Sequence, residues 1–253
     1  MTAILSILSA KGGVGKTTTT VNLAAALAQR GLRIIAVDGN ITTPNLGMHL
    51  GIPLYPKTLH DVFAGKARMT EAMYIHPSGI RVVPASLSAA RLKSMTTANF
   101  QKSLLQLVDK SGIILVDGAA GLGSEARAAM HVSDSIIIVT NPELPAVTDA
   151  LKAIKIANKK KTSVMGIVVN RVSKRRHELS IDEIRLLTER PIIGIIPEDP
   201  EVPRSIAVRL PVVHYKPRSP SAVAYKNLAS NLLGEPQKET IGLFNYMFSW
   251  FRR

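Results

Sequence analysis

The segment Ala10-Lys11-Gly12-Gly13-Val14-Gly15-Lys16-Thr17 lies between a short apolar run, residues 4–8, and a long helical pattern, residues 17–30. A strand, a glycine-rich loop and a helix in this order constrain the chain more than any other feature. Glycines let successive backbone N–H groups turn inward with no Cβ in the way. The start of the following helix adds its positive dipole end at the same point. Such a loop binds phosphate: Lys16 is placed to reach β- and γ-phosphates, and the Thr17 hydroxyl to ligate Mg²⁺.

The rest of the chain alternates in the same way. Strand candidates fall at residues 4–8, 33–37, 80–83, 113–116, 135–139, 163–169 and 191–196, several of them continuously apolar, as strands covered on both faces are. Helix candidates fall at 17–30, 99–108, 124–131, 146–158, 181–188 and 220–233, and Gly31 is the stop signal of the first. The alternation predicts an α/β fold, a mostly parallel sheet flanked by helices on both faces. Residues 3–10 run straight into the glycine loop and are expected to be the buried first strand, not a signal-peptide core. No apolar run approaches the ~20 residues that span a bilayer, so a soluble or peripheral protein is expected.

The chain of 253 residues has no cysteine and a formal charge of +14. Without cysteine there are no disulfides, thiolate metal sites or iron–sulfur ligands. The positive balance predicts an anionic partner. Three basic groupings contribute: Lys159-Lys160-Lys161, Lys174-Arg175-Arg176-His177, and Arg204, Arg209, Lys216 and Arg218. They read as solvated loops or as phosphate contacts to DNA.

The form KGGxGKT, with Ala10 in place of the first glycine and a second lysine at Lys11, resembles the deviant Walker A motif of the MinD/ParA family, most closely its MinD branch. The resemblance covers most of the first 233 residues. It implies the SIMIBI-type P-loop NTPase fold, ATP and Mg²⁺ as ligands, and a homodimer in the ATP state in which Lys11 reaches the partner's nucleotide. The implied nucleotide cradle comprises Lys11, Gly12, Gly13, Val14, Gly15, Lys16, Thr17 and Thr18. Asp38, in Val37-Asp38-Gly39-Asn40, resembles switch I and is expected near Mg²⁺ through a water. Asp117 ends an apolar strand as a Walker B acid and also faces the metal, and residues 118–123 follow as switch II. Glu143 in Thr140-Asn141-Pro142-Glu143 is expected to position Lys11. Asn170 and Arg171, with Pro197, Glu198 and Asp199, are expected around the adenine. No guanine-selecting Asn-Lys-x-Asp motif is present, which favours ATP. The helix carrying Asp149 and Lys152 resembles a surface for an activating or cargo protein.

Two positions depart from the family pattern. Asn40 stands where the family has Asp, and an amide can bond the attacking water but cannot draw its proton. Ala119 stands where a proline is usual, which predicts a less rigid switch II. Both predict slow hydrolysis, with Lys11, Lys16 and Asn40 as the catalytic set.

The C-terminal segment is of another kind. The division expected is an ATPase domain at 1–234, a polar linker at 235–240 and an amphipathic helix at 241–253. The last segment holds five of the eleven aromatic residues. On a helical wheel Leu243, Phe244, Met247, Phe248, Trp250 and Phe251 share one half, while Arg252 and Arg253 lie on the other. This is the pattern of an interfacial membrane anchor, and it resembles the tail of the MinD branch. A peripheral position on the cytoplasmic side of an anionic membrane is expected, with a ParA-like role in DNA partition as the alternative.

Overall fold

The computed structural model describes residues 2–52, 55–87, 96–173 and 175–235. In chain order the elements are β1 (Ala3–Ser9), α1 (Lys16–Ala28), β2 (Ile34–Gly39), α2 (Leu46–His49), α3 (Leu59–Phe63), β3 (Tyr74–Ile75), β4 (Arg81–Val83) and α4 (Thr97–Leu105). They continue with β5 (Ile113–Ala120), α5 (Ser124–Val132), β6 (Ser135–Thr140), α6 (Leu144–Lys159), β7 (Ser163–Val172), α7 (Ile181–Thr188), β8 (Ile192–Pro197), α8 (Glu201–Ala207), α9 (Val212–Tyr215) and α10 (Pro220–Leu232). The amphipathic segment 241–253 and Lys174 lie outside the described residues.

Among the described residues, eight strands form one sheet in the order β3-β4-β2-β5-β1-β6-β7-β8. All pairings are parallel except that of β3 with β4. All seven strands that the pattern predicts are present. The added strand β3 is two residues long, too short to show a period. Helices α2, α3, α8 and α9 have four to seven residues and also fall below what a helical periodicity can reveal.

Alternation along the strands sends side chains into two cores. Leu5 and Ile7 of β1, Leu115 of β5 and Val139 of β6 meet Leu23 and Leu27 of α1 and Tyr225 and Leu228 of α10 on one face. Leu8, Ile114, Val116 and Ile138 meet Phe100 of α4, Met130 of α5 and Val147 and Ile154 of α6 on the other. The period of two decides the face for each residue, and burial on both sides explains the near-continuous apolar strands. Helix α1 stops where expected: Gly31 takes φ +79 and its N–H donates to Ala28 O at 2.9 Å, a left-handed end that suits glycine.

The loop after β1 sits at a switch point. β1 lies between β5 and β6, and the chain builds the sheet first to one side of it and then to the other. Ligand crevices of open α/β sheets form there, beyond the carboxyl ends of the strands.

The strand before switch II is longer than the pattern predicts: β5 continues past Asp117 through Gly118 and Ala119 to Ala120. Gly118 is the register partner of Gly39, and Ala120 of Ser9. A proline at position 119 would remove a backbone donor; alanine keeps it, and the extra length lies in the sheet.

Candidate functional site

The glycine loop closes on the start of α1. Its N-cap Gly15 has φ 95 and offers no side-chain cap, and the first turn contains no acid. The turn's free N–H groups and positive dipole end are thus left for an external anion. Gly15 is required twice over. Its φ is left-handed, and a Cβ there would lie 2.1 Å from Asn170 Nδ2. Asn170, at the end of β7, donates to Val14 O at 2.7 Å, tying the loop to the sheet from 156 residues away.

Behind the loop lies a buried polar cluster. Asp117 accepts from Lys16 Nζ at 3.3 Å, Thr17 Oγ1 at 2.7 Å and Thr20 Oγ1 at 3.1 Å. Asp38 is its register partner on β2, and both carboxylates are fully buried. Asp38 accepts from the N–H groups of Asn40 and Leu46, each at 3.1 Å, so it folds switch I back onto the start of α2. Burial first, and then the neighbouring Asp117 carboxylate, push the Asp38 carboxyl up to about 8.

This donor set fits magnesium. Among the described residues no group of three or more His, Cys, Asp or Glu could hold a metal alone. Mg²⁺ is usually held by one or two carboxylates together with phosphate oxygens and waters, not by an all-protein cage. A hydroxyl and two crowded carboxylates beside a phosphate loop are such a partial set, and a cation would relieve the repulsion between the acids.

The two lysines of the loop have opposite environments. Lys16 is buried on Asp117, whereas the side chain of Lys11 is 41% exposed and bridges to Glu143 at 3.2 Å. Asn40 is clasped by one residue: its amide donates to Thr43 O and accepts from Thr43 Oγ1. Thr18 Oγ1 lies 3.5 Å from His49 Nε2. Beyond Glu143 a polar cleft of about 220 Å³ is lined by residues including Arg171, Arg175, His177 and Glu198. Pro197 and Glu198 run beside Val172, with Glu198 N donating to Val172 O. The Asp199 carboxylate accepts from Glu201 N and from the N–H and hydroxyl of Ser221. Asp149 and Lys152 form an ion pair at 2.8 Å on α6.

Two residues of the site are absent from the sequence expectations. Thr20 lies three positions after Thr17 on the same helix face, a spacing that marks it as a neighbour. Glu125, in the first turn of α5, accepts from Ile41 N at 3.2 Å and from Thr42 Oγ1, so it holds switch I against the end of switch II. An acid in a first helical turn ordinarily serves the dipole, and nothing local marks this longer reach.

The family model for the CobQ/CobB/MinD/ParA nucleotide binding domain matches residues 5–212. The chain belongs to this family. Among similar proteins is an uncharacterised ATP-binding protein of Methanocaldococcus jannaschii, 38% identical over 234 residues, which cover 92% of this chain and 89% of that one. The septum site-determining protein MinD of a Synechocystis species is 32% identical over 263 residues, covering 100% of this chain and 98% of the relative. Among solved structures, MinD of Pyrococcus horikoshii complexed with Mg-ADP superposes with a TM-score of 0.87 at 34% identity, covering 92% of this chain and 96% of that chain. As a MinD/ParA-type P-loop domain the chain has the architecture expected of it, an eight-stranded sheet with the phosphate loop at its switch point.

Proposed function

We propose that this chain is a dimerising ATP switch: it binds Mg-ATP, pairs with a second copy, holds a membrane in that state and releases it on hydrolysis. The observation that carries the reading is the outward Lys11. Lys16 already supplies the buried cation of the loop. A second cation, half-exposed and steered by Glu143, stands apart from that buried cluster and is available to a neighbouring subunit. A cation added in this way stabilises charge developing on a transferring phosphoryl group.

In this reading Thr17 and Asp117 hold Mg²⁺, with Asp38 acting through a water. Mg²⁺ neutralises charge on the phosphates; the chain's groups position them. Asn170, Arg171 and the stretch from Pro197 to Asp199 border the adenine. Asn40 orients the attacking water without taking its proton, so turnover is slow. Asp149 and Lys152 on α6 face an activating or cargo protein. The apolar half of residues 241–253 enters an anionic membrane surface. The MinD relatives, named for septum placement, point to positioning of a division or other polar assembly. Among the described residues no helix is long and apolar enough to cross a membrane.

Light scattering and vesicle flotation with Mg-ATP, Mg-ADP and no nucleotide test this reading. A dimer that floats only with ATP is the expected result. A monomer that stays in solution under all three conditions would overturn it.

A further inference from the structure

The loop that carries Asn40 is bound at each end and in its middle. At its ends the N–H groups of Asn40 and Leu46 both reach the Asp38 carboxylate. Within it the Asn40 amide is clasped by Thr43, and Asn45 Nδ2 donates to the same Thr43 carbonyl at 2.9 Å. Those bonds are internal to switch I and β2. They shape the loop, but they do not fix it against the other side of the site. The middle of the loop does that. Ile41 N and Thr42 Oγ1 donate to different oxygens of Glu125, in the first turn of α5. The Ile41 side chain is buried in the same core as Ala129 and Met130 of that helix.

The start of α5 also holds switch II. Arg127 Nε donates to Leu122 O at 2.9 Å, and Arg127 N to Gly123 O at 3.1 Å. Gly121 N donates in turn to Ser9 O at 3.0 Å, and Ser9 Oγ to Lys11 O at 3.0 Å. A line of bonded residues thus runs from the phosphate loop through switch II and the start of α5 to switch I. Energetic coupling between groups is carried by networks of this kind.

Two simpler roles do not account for Glu125. An acid at a helix start can serve the dipole from solvent, but both oxygens of this one are turned onto switch I donors. It does not cap its own helix either, since the N-cap is Gly123 and no side chain bonds there. A carboxylate suits the position because the Ile41 N–H and the Thr42 O–H are both donors, and each of its oxygens only accepts. A glutamine would accept with one oxygen and turn its NH₂ on the other donor.

We propose that Glu125 is a positioning residue for ATP hydrolysis: it clamps switch I to α5 and so holds Asn40 where it orients the attacking water. It rests on the hydrolysis reading given above and adds to it the residue that aims Asn40. The Ile41 N–H bound by Glu125 belongs to the peptide next to Asn40, so the clamp acts on the backbone that carries the Asn40 side chain. With the clamp open, Asn40 keeps its bonds to Asp38 and Thr43, but the loop is free to tilt as a unit. A misplacement of about 1 Å in a positioned group costs up to about 100-fold in rate. Nucleotide affinity comes from the phosphate loop, to which Glu125 makes no direct bond among the described residues.

The test is steady-state ATP turnover by the full chain in E125A, the isosteric E125Q, N40A and the double variant N40A/E125A. Melting temperature and Mg-ADP affinity report whether each variant folds. In E125A kcat should fall about tenfold or more, while KM for Mg-ATP and the ATP-dependent dimer stay as in the wild type. That split is expected when an interaction serves the transition state alone. E125Q keeps one acceptor, so its kcat should lie between the two, and it supplies the comparison should E125A not fold. In the N40A background E125A should change the rate little, because the group it positions is gone. A wild-type kcat in both E125A and E125Q, even with a lowered melting temperature, would make Glu125 structural and overturn the clamp, leaving the ATP switch standing. Equal fold losses with and without Asn40 would place its action elsewhere and overturn the assignment. Absence of turnover by the wild-type chain would overturn the clamp and the hydrolysis reading together.

Discussion

The Thr17 hydroxyl donates to Asp117 Oδ2 across 2.7 Å, joining the first turn of α1 to β5. With Lys16 and Thr20 on the same carboxylate, Asp117 is the point on which the phosphate loop is set. Asp117→Asn keeps the shape but leaves Lys16 buried without a counter-charge. Breaking a buried pair from one side costs about 3–5 kcal/mol. A fall of that size in denaturant-unfolding free energy is expected without nucleotide, together with loss of Mg²⁺-dependent nucleotide binding in calorimetry. An unchanged stability would show that Lys16 is solvated in the free protein.

Gly15→Ala meets both a left-handed φ and the amide of Asn170. Either the loop shifts or the Asn170 amide gives up its bond to Val14 O, and nucleotide affinity should drop by at least tenfold. Gly31→Ala also has positive φ, but nothing lies within 4 Å of its added Cβ. It should cost about 1 kcal/mol of stability and leave affinity intact. Isothermal titration of both variants separates a lost site from a strained turn.

Lys11→Ala removes a half-exposed ion pair, of a kind that contributes about 0–1 kcal/mol. Stability and monomer nucleotide binding should barely change. ATP-dependent dimerisation, read by light scattering, and turnover should both be lost. A variant that still dimerises and turns over like the wild type would remove the role given to this lysine.

Asn40→Asp supplies a proton acceptor at switch I and replaces the donor to Thr43 O with a repelling oxygen. Positioned bases contribute about 10²–10⁴-fold; a rise of at least tenfold in steady-state ATP turnover is expected. Equal rates in the two proteins would remove the account of slow hydrolysis.

Burial opposes ionisation of Asp199, but bonds from Ser221 and Glu201 N–H outweigh it and hold the carboxyl below its ordinary value. A folded-state value that is lowered adds stability at pH above the unfolded value and loses it as pH falls through the folded one. Acid unfolding of the wild type should therefore include a contribution that Asp199→Asn removes, while at pH 7 the variant is less stable. Superimposable stability curves from pH 7 into the acid range would contradict this.

The sequence alone determined what neighbouring residues decide. Seven strands follow from runs of apolar residues, and the end of α1 follows from Gly31. The phosphate loop follows from glycines placed between a strand and Lys16-Thr17. These are local matters of sterics and periodicity, and a linear pattern carries them. The two-residue β3 and the short helices α2, α3, α8 and α9 have too few residues to show a period and depend on the sheet beneath them. Family resemblance pointed to Glu143 and Asn170, but only the fold sets Lys11 within 3.2 Å of a residue 132 positions away. The tertiary structure alone decided that Glu125 grips switch I, that β5 runs on to Ala120, and that the basic runs part to opposite ends of β7. Each depends on strand order and direction. Those are set by how the whole apolar pattern is buried at once, and no window of sequence holds that information.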